Sequence, residues 1–236
     1  KHAAVEREER QKEFERQHAE NRRIAWLNEY YSRTENHGLP FSADAARLEN
    51  LDTDGPDKDA FHLIRAWRPG DQFGFLILGP AGSGKSYALQ ALAKSIMFDY
   101  REFSEKRQKL RWFSVANGLD QIRKQMNENN DRLKVDIMTA DYLFVDDLGA
   151  ENLTEWARET IYQVFEHRIN FGLPTFVSSN CKPDELKARY HERFVSRLKE
   201  ACVFIELKGR DRRGDKMKAN IKTLKDRIAK SSSTSK

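Results

Sequence analysis

The stretch that decides the fold is Gly79-Pro80-Ala81-Gly82-Ser83-Gly84-Lys85-Ser86, which satisfies the pattern G-x-x-x-x-G-K-[ST]. It follows the apolar run Gln72–Leu78, predicted as a buried strand, and opens the stretch Lys85–Phe103, predicted as a helix. Its glycines let backbone N–H groups turn toward phosphates, and the start of a helix adds a positive dipole. Lys85 can reach the β and γ phosphates, and Ser86 can bind Mg²⁺. The stretch therefore predicts a P-loop that binds a nucleoside triphosphate with Mg²⁺.

Short apolar runs alternate with long amphipathic stretches along the rest of the chain. Such alternation predicts an α/β fold of the P-loop NTPase type, with a parallel sheet and helices on both of its faces. The further predicted strands are Lys109–Val115, Tyr142–Val145, Thr175–Ser178 and Cys202–Leu207. The further predicted helices are Lys58–Trp67, Leu119–Asn127, Thr154–Phe171 and Pro183–Glu200.

Two carboxylates stand where the predicted strand Tyr142–Val145 ends. Mg²⁺ at a P-loop needs an acidic ligand from across the sheet, and Asp146 is predicted to supply it. Asp147, one residue on and aimed differently, is predicted to polarise the attacking water. The pair predicts a site for hydrolysis as well as binding.

The identity of the base depends on two weaker motifs. Asp146-Asp147-Leu148-Gly149 fits the D-x-x-G pattern of GTPases, and Asn180-Cys181-Lys182-Pro183-Asp184 approaches the N-K-x-D pattern that reads guanine. Cys181 separates the asparagine from the lysine, however, and this insertion breaks the geometry. The sequence therefore favours ATP over GTP.

Polar and basic side chains late in the chain complete the predicted site. Asn180 follows the strand Thr175–Ser178 and is predicted to orient the water near the γ-phosphate, if that strand lies beside the one bearing Asp146. Arg193 and Arg197 share one face of a predicted helix, where like charges oppose each other unless an anion sits opposite. That anion is predicted to be the nucleotide of a neighbouring subunit, which implies an oligomer with shared sites.

In combination, the motifs resemble the AAA+ ATPases of the DnaC/DnaI helicase-loader and IstB transposition-ATPase family. The resemblance covers about Phe41 to Arg213, roughly three quarters of the chain. Beyond the P-loop it rests on an ordered series: Val145-Asp146-Asp147-Leu148-Gly149-Ala150-Glu151, Trp156-Ala157-Arg158-Glu159, Gly172-Leu173-Pro174-Thr175, Ser179-Asn180, Glu192-Arg193-Phe194-Val195-Ser196-Arg197-Leu198 and Gly209-Arg210-Asp211-Arg212-Arg213.

The resemblance implies a role for each motif. Residues 79–86 become Walker A, with Tyr87 directly after them, and Asp146 and Asp147 become Walker B. Asn180 becomes sensor I, and Arg197, with Arg193 beside it, becomes an arginine finger acting in trans. Leu51, in the stretch Arg47–Leu51, is expected to help hold the adenine. The short chain after Leu207 implies a reduced lid, and Arg212 or Arg213 is the candidate for the second sensor.

The resemblance also implies partners. In this family an N-terminal segment engages a replicative helicase, and ATP-bound subunits assemble on DNA. The expected function is loading of a replicative helicase onto single-stranded DNA. The alternative is an IstB-type ATPase that binds duplex DNA and a transposase, and a third reading is a non-hydrolysing adaptor, against which the intact Asp146, Asp147 and Arg197 argue. The short charged arm favours the loader.

Charge is unevenly distributed along the 236 residues, which carry a net charge of +5. Residues 208–236 contain eleven lysines and arginines and three aspartates, a net +8, so the preceding chain is slightly acidic. Such asymmetry suggests a polyanionic partner for the tail. We predict a charged helical arm over residues 1–40, an ATPase domain over 41–214 and a basic tail over 215–236.

Two compositional features indicate the compartment. The longest apolar run, Ala201–Ile205, has five residues, against about 18 needed to cross a bilayer, which argues against a membrane protein. Cys181 and Cys202 are too few for a disulfide framework or a four-cysteine metal site. The chain begins at Lys1 without an apolar leader, so we expect a cytoplasmic protein.

Overall fold

The structure, a computed structural model, describes residues 2–32, 38–40, 46–51, 55–209, 211, 221 and 223–225. Within these ranges the centre of the protein is a five-stranded sheet in which every neighbouring pair is parallel. Its spatial order is β2-β3-β4-β1-β5. The strands are β1 (Gly74–Leu78), β2 (Leu110–Ser114), β3 (Tyr142–Asp146), β4 (Thr175–Ser179) and β5 (Cys202–Glu206).

Helices pack on both faces of this sheet. Their bounds are α1 (His2–Ser32), α2 (Lys58–Ala66), α3 (Lys85–Phe98), α4 (Arg101–Glu105), α5 (Val115–Asn127), α6 (Arg132–Thr139), α7 (Glu155–Asn170) and α8 (Pro183–Ala201), with a short 3₁₀ turn at Leu48–Asn50. Successive strand residues point to opposite faces, so Phe144 joins the core beneath α2, α3 and α4, whereas Val145 joins the core beneath α5, α7 and α8. This explains why the strands are apolar at consecutive positions.

The carboxyl ends of three adjacent strands bring the predicted site together. β1 lies between β4 and β5, and β4 lies between β1 and β3. Because the strands are parallel, the P-loop after β1, Asp146 at the end of β3 and Asn180 after β4 all lie at one edge of the sheet. Ligands of open α/β sheets bind at this edge, in the crevice outside the strand ends.

All five predicted strands are present, but two predicted helices need correction and one helix was not predicted. The helix predicted as Lys85–Phe103 ends at Phe98 and restarts at Arg101, because Tyr100 adopts an extended conformation. Helix α6 was not predicted. The helix predicted as Pro183–Glu200 is interrupted at His191, whose φ of 68° and ψ of 155° are not helical.

The N-terminal arm is helical from His2 to Ser32, and its second half contacts the domain. The side chains of residues 6–18 are exposed, whereas the Trp26 ring meets the Phe103 ring edge-on, with centroids 5.2 Å apart. Within the described ranges, no helix combines the length and apolar character needed to cross a bilayer. Arg212, Arg213 and, apart from Ile221 and residues 223–225, the predicted tail lie outside the described residues.

Candidate nucleotide-binding site

The P-loop turns tightly between β1 and α3. Gly82 has a φ of +77° and Gly84 a φ of +102°, conformations that favour glycine. The loop residues Ala81, Gly82 and Gly84 and the first residues of α3, Lys85 and Ser86, line the same cleft. This is the local geometry that accommodates phosphates at a helix N-terminus.

Lys85, the first residue of α3, is only 4% exposed and points back into the loop. Its ammonium group donates to the backbone carbonyls of Gly79 and Pro80, each at 2.8 Å. It also donates to the carboxamide oxygen of Asn180 at 2.7 Å. The positive charge is thus held where the P-loop faces the end of β4.

Asp146 accepts two hydroxyl hydrogen bonds on one carboxylate oxygen. Ser86 Oγ donates at 2.8 Å and Ser178 Oγ at 2.6 Å. Burial raises the pKa of Asp146, an effect that these hydrogen bonds and nearby Lys85 oppose, whereas neighbouring Asp147 adds to it. The predicted metal-binding pair, Ser86 and Asp146, is therefore in direct contact.

Asp147 lies immediately beyond β3 in a left-handed conformation, with a φ of 58°. Its backbone N–H donates to Ser178 Oγ at 2.9 Å, and its carboxylate accepts a bond of 3.3 Å from the amide nitrogen of Asn180. Asp146 and Asp147 consequently face different partners. Ser178 contacts both aspartates but was not predicted as a site residue. Its position just before Ser179-Asn180, at the end of a predicted strand, could have indicated it.

A cleft of about 410 Å³ extends from the P-loop toward an apolar wall. Leu51 and Phe61, 5% and 1% exposed, line this wall, which suits the faces of a base. Leu51 was expected here, whereas Phe61 was not, since it precedes the P-loop by almost twenty residues. The other lining residues are Asn50, Ala81, Gly82, Gly84, Lys85, Ser86, Tyr87, Asp147 and Asn180.

The segment after β5 is attached to the P-loop region by Asp57, which is 3% exposed. The Asp57 carboxylate accepts the backbone N–H groups of Lys208 at 2.6 Å and Gly209 at 3.0 Å. Farther along, the Asp211 carboxylate packs so closely on Gly82 that a Cβ there would lie 1.9 Å from Asp211 Oδ1. Asp57 thus fixes where the chain passes over the P-loop.

Arg193 and Arg197 lie after the break at His191, and neither lines the P-loop cleft. The Arg193 guanidinium is 3.8 Å from Glu166 and lies over the ring of Tyr162, yet its side chain is 75% exposed. Arg197 donates to Glu200 at 2.8 Å. Both arginines line an open concavity of about 580 Å³ on the surface.

The family is decided by a sequence match that spans most of this architecture. The sequence profile of the bacterial DnaA ATPase domain matches residues 60–205, more than half of the chain. The chain belongs to the bacterial DnaA ATPase domain family. In this DnaA-type domain the matched range contains the P-loop, Asp146, Asp147 and Asn180, whereas Leu51 precedes it.

The DnaA-type domain is also similar in sequence to a helicase loader. The replicative helicase loader DnaI of Bacillus subtilis (strain 168) is 32% identical over 154 residues, which cover 59% of this chain and 47% of DnaI. The chain spans about half the length of the curated relatives it matches. The resemblance predicted from the motifs is thereby confirmed.

Two solved structures show the same fold. A DnaC helicase loader superimposes with a TM-score of 0.62 at 22% identity, covering 72% of this chain and all of that one. A replication initiator DnaA bound to AMPPCP and single-stranded DNA superimposes with a TM-score of 0.60 at 17% identity, covering 79% of this chain and 56% of that one. The predicted AAA+ P-loop fold is confirmed.

The donor set of the DnaA-type domain fits a nucleotide with Mg²⁺. In the described residues, no group of three or more histidines, cysteines or acidic residues is placed to hold a metal ion. Mg²⁺ commonly binds through one or two protein oxygens together with phosphate oxygens and water. The paired oxygens of Ser86 and Asp146, beside the glycine-rich loop at the start of α3, match that requirement.

Proposed function

We propose that the protein is an AAA+ ATPase that loads a replicative DNA helicase onto single-stranded DNA at replication initiation. The observation that carries this proposal is the convergence of Lys85, Asp146, Asp147 and Asn180 at one P-loop cleft. The similarity to the loader DnaI supports the helicase as the partner.

The proposed reaction is hydrolysis of ATP to ADP and phosphate. The P-loop N–H groups and Lys85 bind the β and γ phosphates, and Leu51 and Phe61 pack against adenine. Ser86 and Asp146 hold Mg²⁺, which when bound neutralises phosphate charge. Asp147 takes the proton of the attacking water, and Asn180, bonded to Asp147, orients that water.

The charge on the transferring phosphate also needs a positive group outside the cleft. Arg197, with Arg193 beside it, is proposed to supply this charge to the site of a neighbouring subunit. An arginine finger of this kind is worth about 10³ to 10⁵ in rate. Both arginines line a surface concavity away from their own cleft, which supports a homo-oligomer with shared sites.

The remaining parts of the chain are assigned to partners. The exposed half of α1 is proposed to contact the helicase, and the basic tail over residues 215–236 to contact DNA phosphates. Single-stranded DNA is the proposed nucleic acid, which agrees with the complex of the DnaA relative. We place this activity in the cytoplasm.

A loading assay tests the proposal. The full chain is mixed with the replicative helicase of the same organism and circular single-stranded DNA, and the helicase retained on the circles is measured after a high-salt wash. We expect retention that requires ATP and is lost in Lys85→Ala. Absence of ATP-dependent loading, or selective capture of a transposase in a parallel pull-down, would contradict the loader and favour the transposition alternative.

A further inference from the structure

Glu151 is a buried carboxylate that the proposed reaction does not use. It stands four residues after Asp147, and its side chain is only 2% exposed. A carboxylate removed from water is costly unless it is well paired. Its Oε2 accepts the backbone N–H of Gly149 at 2.9 Å, which closes the turn that follows Asp147.

Two consecutive residues of α8 hold Glu151 from the other side. The hydroxyl of Tyr190 donates a hydrogen bond to Oε1, and the Arg189 guanidinium lies 3.8 Å from the same oxygen. Arg189 Nη2 also donates to the backbone carbonyl of Glu151 at 2.9 Å. Burial, and then the bond to Glu151, raise the pKa of Tyr190, so the phenol keeps its proton at neutral pH and is the donor.

The helix breaks immediately after this contact. His191 has a φ of 68° and a ψ of 155°, a combination that residues other than glycine rarely adopt. Such a conformation persists only where the surroundings hold the chain on both sides. The segment Glu192–Ala201, which carries Arg193 and Arg197, therefore begins directly after the point where Tyr190 is held, and its buried side chains, Phe194, Val195 and Leu198, pack in the core.

On its other side, Glu151 is linked through a short turn to Asp147, the proposed catalytic base. Asp147 is bonded through its backbone to Ser178, and its carbonyl accepts the N–H of Ala150 at 3.1 Å. Only one turn separates Asp147 from Glu151. The turn from Asp147 to Glu151, closed by these hydrogen bonds, and the Glu151–Tyr190 contact thus connect the nucleotide cleft to the start of the segment 192–201.

We propose that Glu151 is a positioning residue that couples the Asp147 loop of one subunit to the arginine segment it offers to the next subunit. This inference rests on the proposed arginine finger in trans. The Glu151–Tyr190 contact sets the direction of the segment 192–201, so that a subunit aligns its arginines according to the state of its own cleft. Loss of the contact impairs the neighbour's hydrolysis rather than the subunit's own ATP binding.

The test uses mixtures of full-length subunits with complementary defects. Arg197→Ala subunits keep a complete cleft but lack the finger, whereas Asp147→Asn subunits keep the finger but cannot hydrolyse ATP. Mixing them is expected to restore hydrolysis at the Arg197→Ala cleft. Tyr190→Phe is then added to the Asp147→Asn subunit, which donates the finger and whose own cleft is already inactive. Any further loss of hydrolysis therefore comes from the finger that this subunit donates.

Tyr190→Phe removes one hydroxyl and leaves the ring packed against Phe194, 5.0 Å away. We expect the restored rate at saturating donor to fall roughly tenfold or more, the usual scale for losing a charge-assisted bond. The donor concentration giving half of that rate should change little. Glu151→Gln in the donor, which keeps the shape but not the charge, should lower the rate in the same direction.

Tyr142→Phe is the matched control, because it removes another buried hydroxyl, bonded to Gln108 at 3.2 Å near the opposite edge of the sheet. A Tyr190→Phe donor that restores as much hydrolysis as the Tyr142→Phe donor would overturn the role of Glu151 while leaving the shared site intact. A shift in the half-saturating concentration alone would also overturn it, since that indicates weaker assembly. No restoration by the parent pair would overturn both the shared site and this coupling.

Discussion

The carboxamide oxygen of Asn180 accepts a 2.7 Å hydrogen bond from the ammonium group of Lys85, while its amide nitrogen lies 3.3 Å from the Asp147 carboxylate. One side chain at the end of β4 thus joins the P-loop lysine to the proposed catalytic base. Few side chains can satisfy both contacts, since one partner is a donor and the other an acceptor. Asn180 therefore connects the segments that follow β1, β3 and β4.

Replacing Asn180 should impair hydrolysis more than binding. Asn180→Ala removes both contacts, and we expect single-turnover ATP hydrolysis to fall about a hundredfold, as for other preorganised amide groups. The equilibrium affinity for ATP should change less than about threefold, because the P-loop contacts remain. Asn170→Ala, an exposed asparagine at the end of α7, is the control. Equal losses of affinity and rate would contradict a role in orienting water.

Asp147→Asn should abolish hydrolysis without unfolding the site. Asparagine tolerates the left-handed φ of 58° found here and can still accept a bond from Asn180. It cannot take a proton, so we expect the single-turnover rate to fall by about 10² to 10⁴. Nucleotide affinity and the unfolding midpoint should stay near those of the parent. A variant that hydrolyses ATP at a near-parental rate would remove Asp147 from the mechanism.

The Asp146 carboxylate should lower the stability of the folded protein at neutral pH while providing a ligand for Mg²⁺. Its folded pKa lies above the unfolded value of 3.8, chiefly through burial, so ionisation is less favourable in the folded protein. Stability from this group is therefore present below the unfolded pKa and is lost as pH rises through the folded pKa. We expect Asp146→Asn to raise the unfolding midpoint at pH 7 by a few degrees, with a smaller gain near pH 4.

The same Asp146→Asn protein should lose Mg²⁺-dependent hydrolysis, since a neutral amide is a poorer ligand for Mg²⁺. Asp120→Asn, at an exposed position of α5, should change neither property. Thermal unfolding at the two pH values and an Mg²⁺ titration of the hydrolysis rate measure both effects. A lower midpoint for Asp146→Asn at pH 7 would show that the carboxylate is stabilising.

Asp57 should contribute to both stability and ATP binding although it lies outside the P-loop. Asp57→Ala leaves the backbone N–H groups of Lys208 and Gly209 without their acceptor, which costs about 1–3 kcal/mol for a buried donor. We expect a lower urea midpoint and weaker ATP binding, because the chain bearing Asp211 against Gly82 is released. Asp59→Ala, exposed in the first turn of α2, should have much smaller effects.

The strands and the reactive side chains could be predicted because their signals are local. Each strand is a short apolar run, and parallel strands bring Asp146, Asn180 and the P-loop to one edge by topology alone. Long-range packing carries no such signal. Arg168 is fully buried and donates to five acceptors, among them the carbonyls of Ile137, Met138 and Ala140, which only the fold places beside it.

Other features depended on backbone geometry or on distant partners. The break at His191 lies within a sequence of ordinary helix formers. The two residues before it, Arg189 and Tyr190, bind Glu151, some forty residues earlier. Phe61 reaches the cleft from α2, and Asp57 binds backbone groups about 150 residues away. No spacing rule in one sequence connects such positions.

The assignment of the P-loop cleft as the ATP site is tested most directly by the equilibrium affinity of the full chain for ATP with Mg²⁺. Titration calorimetry measures this affinity for the parent, Lys85→Ala and Lys94→Ala. Lys94 lies on the same helix as Lys85 but does not line the cleft. We predict that Lys85→Ala weakens binding by about a hundredfold or more, since a lysine at the phosphates is lost, whereas Lys94→Ala binds as the parent does. Parental affinity in Lys85→Ala, with both proteins folded, would contradict the assignment of this cleft as the ATP site.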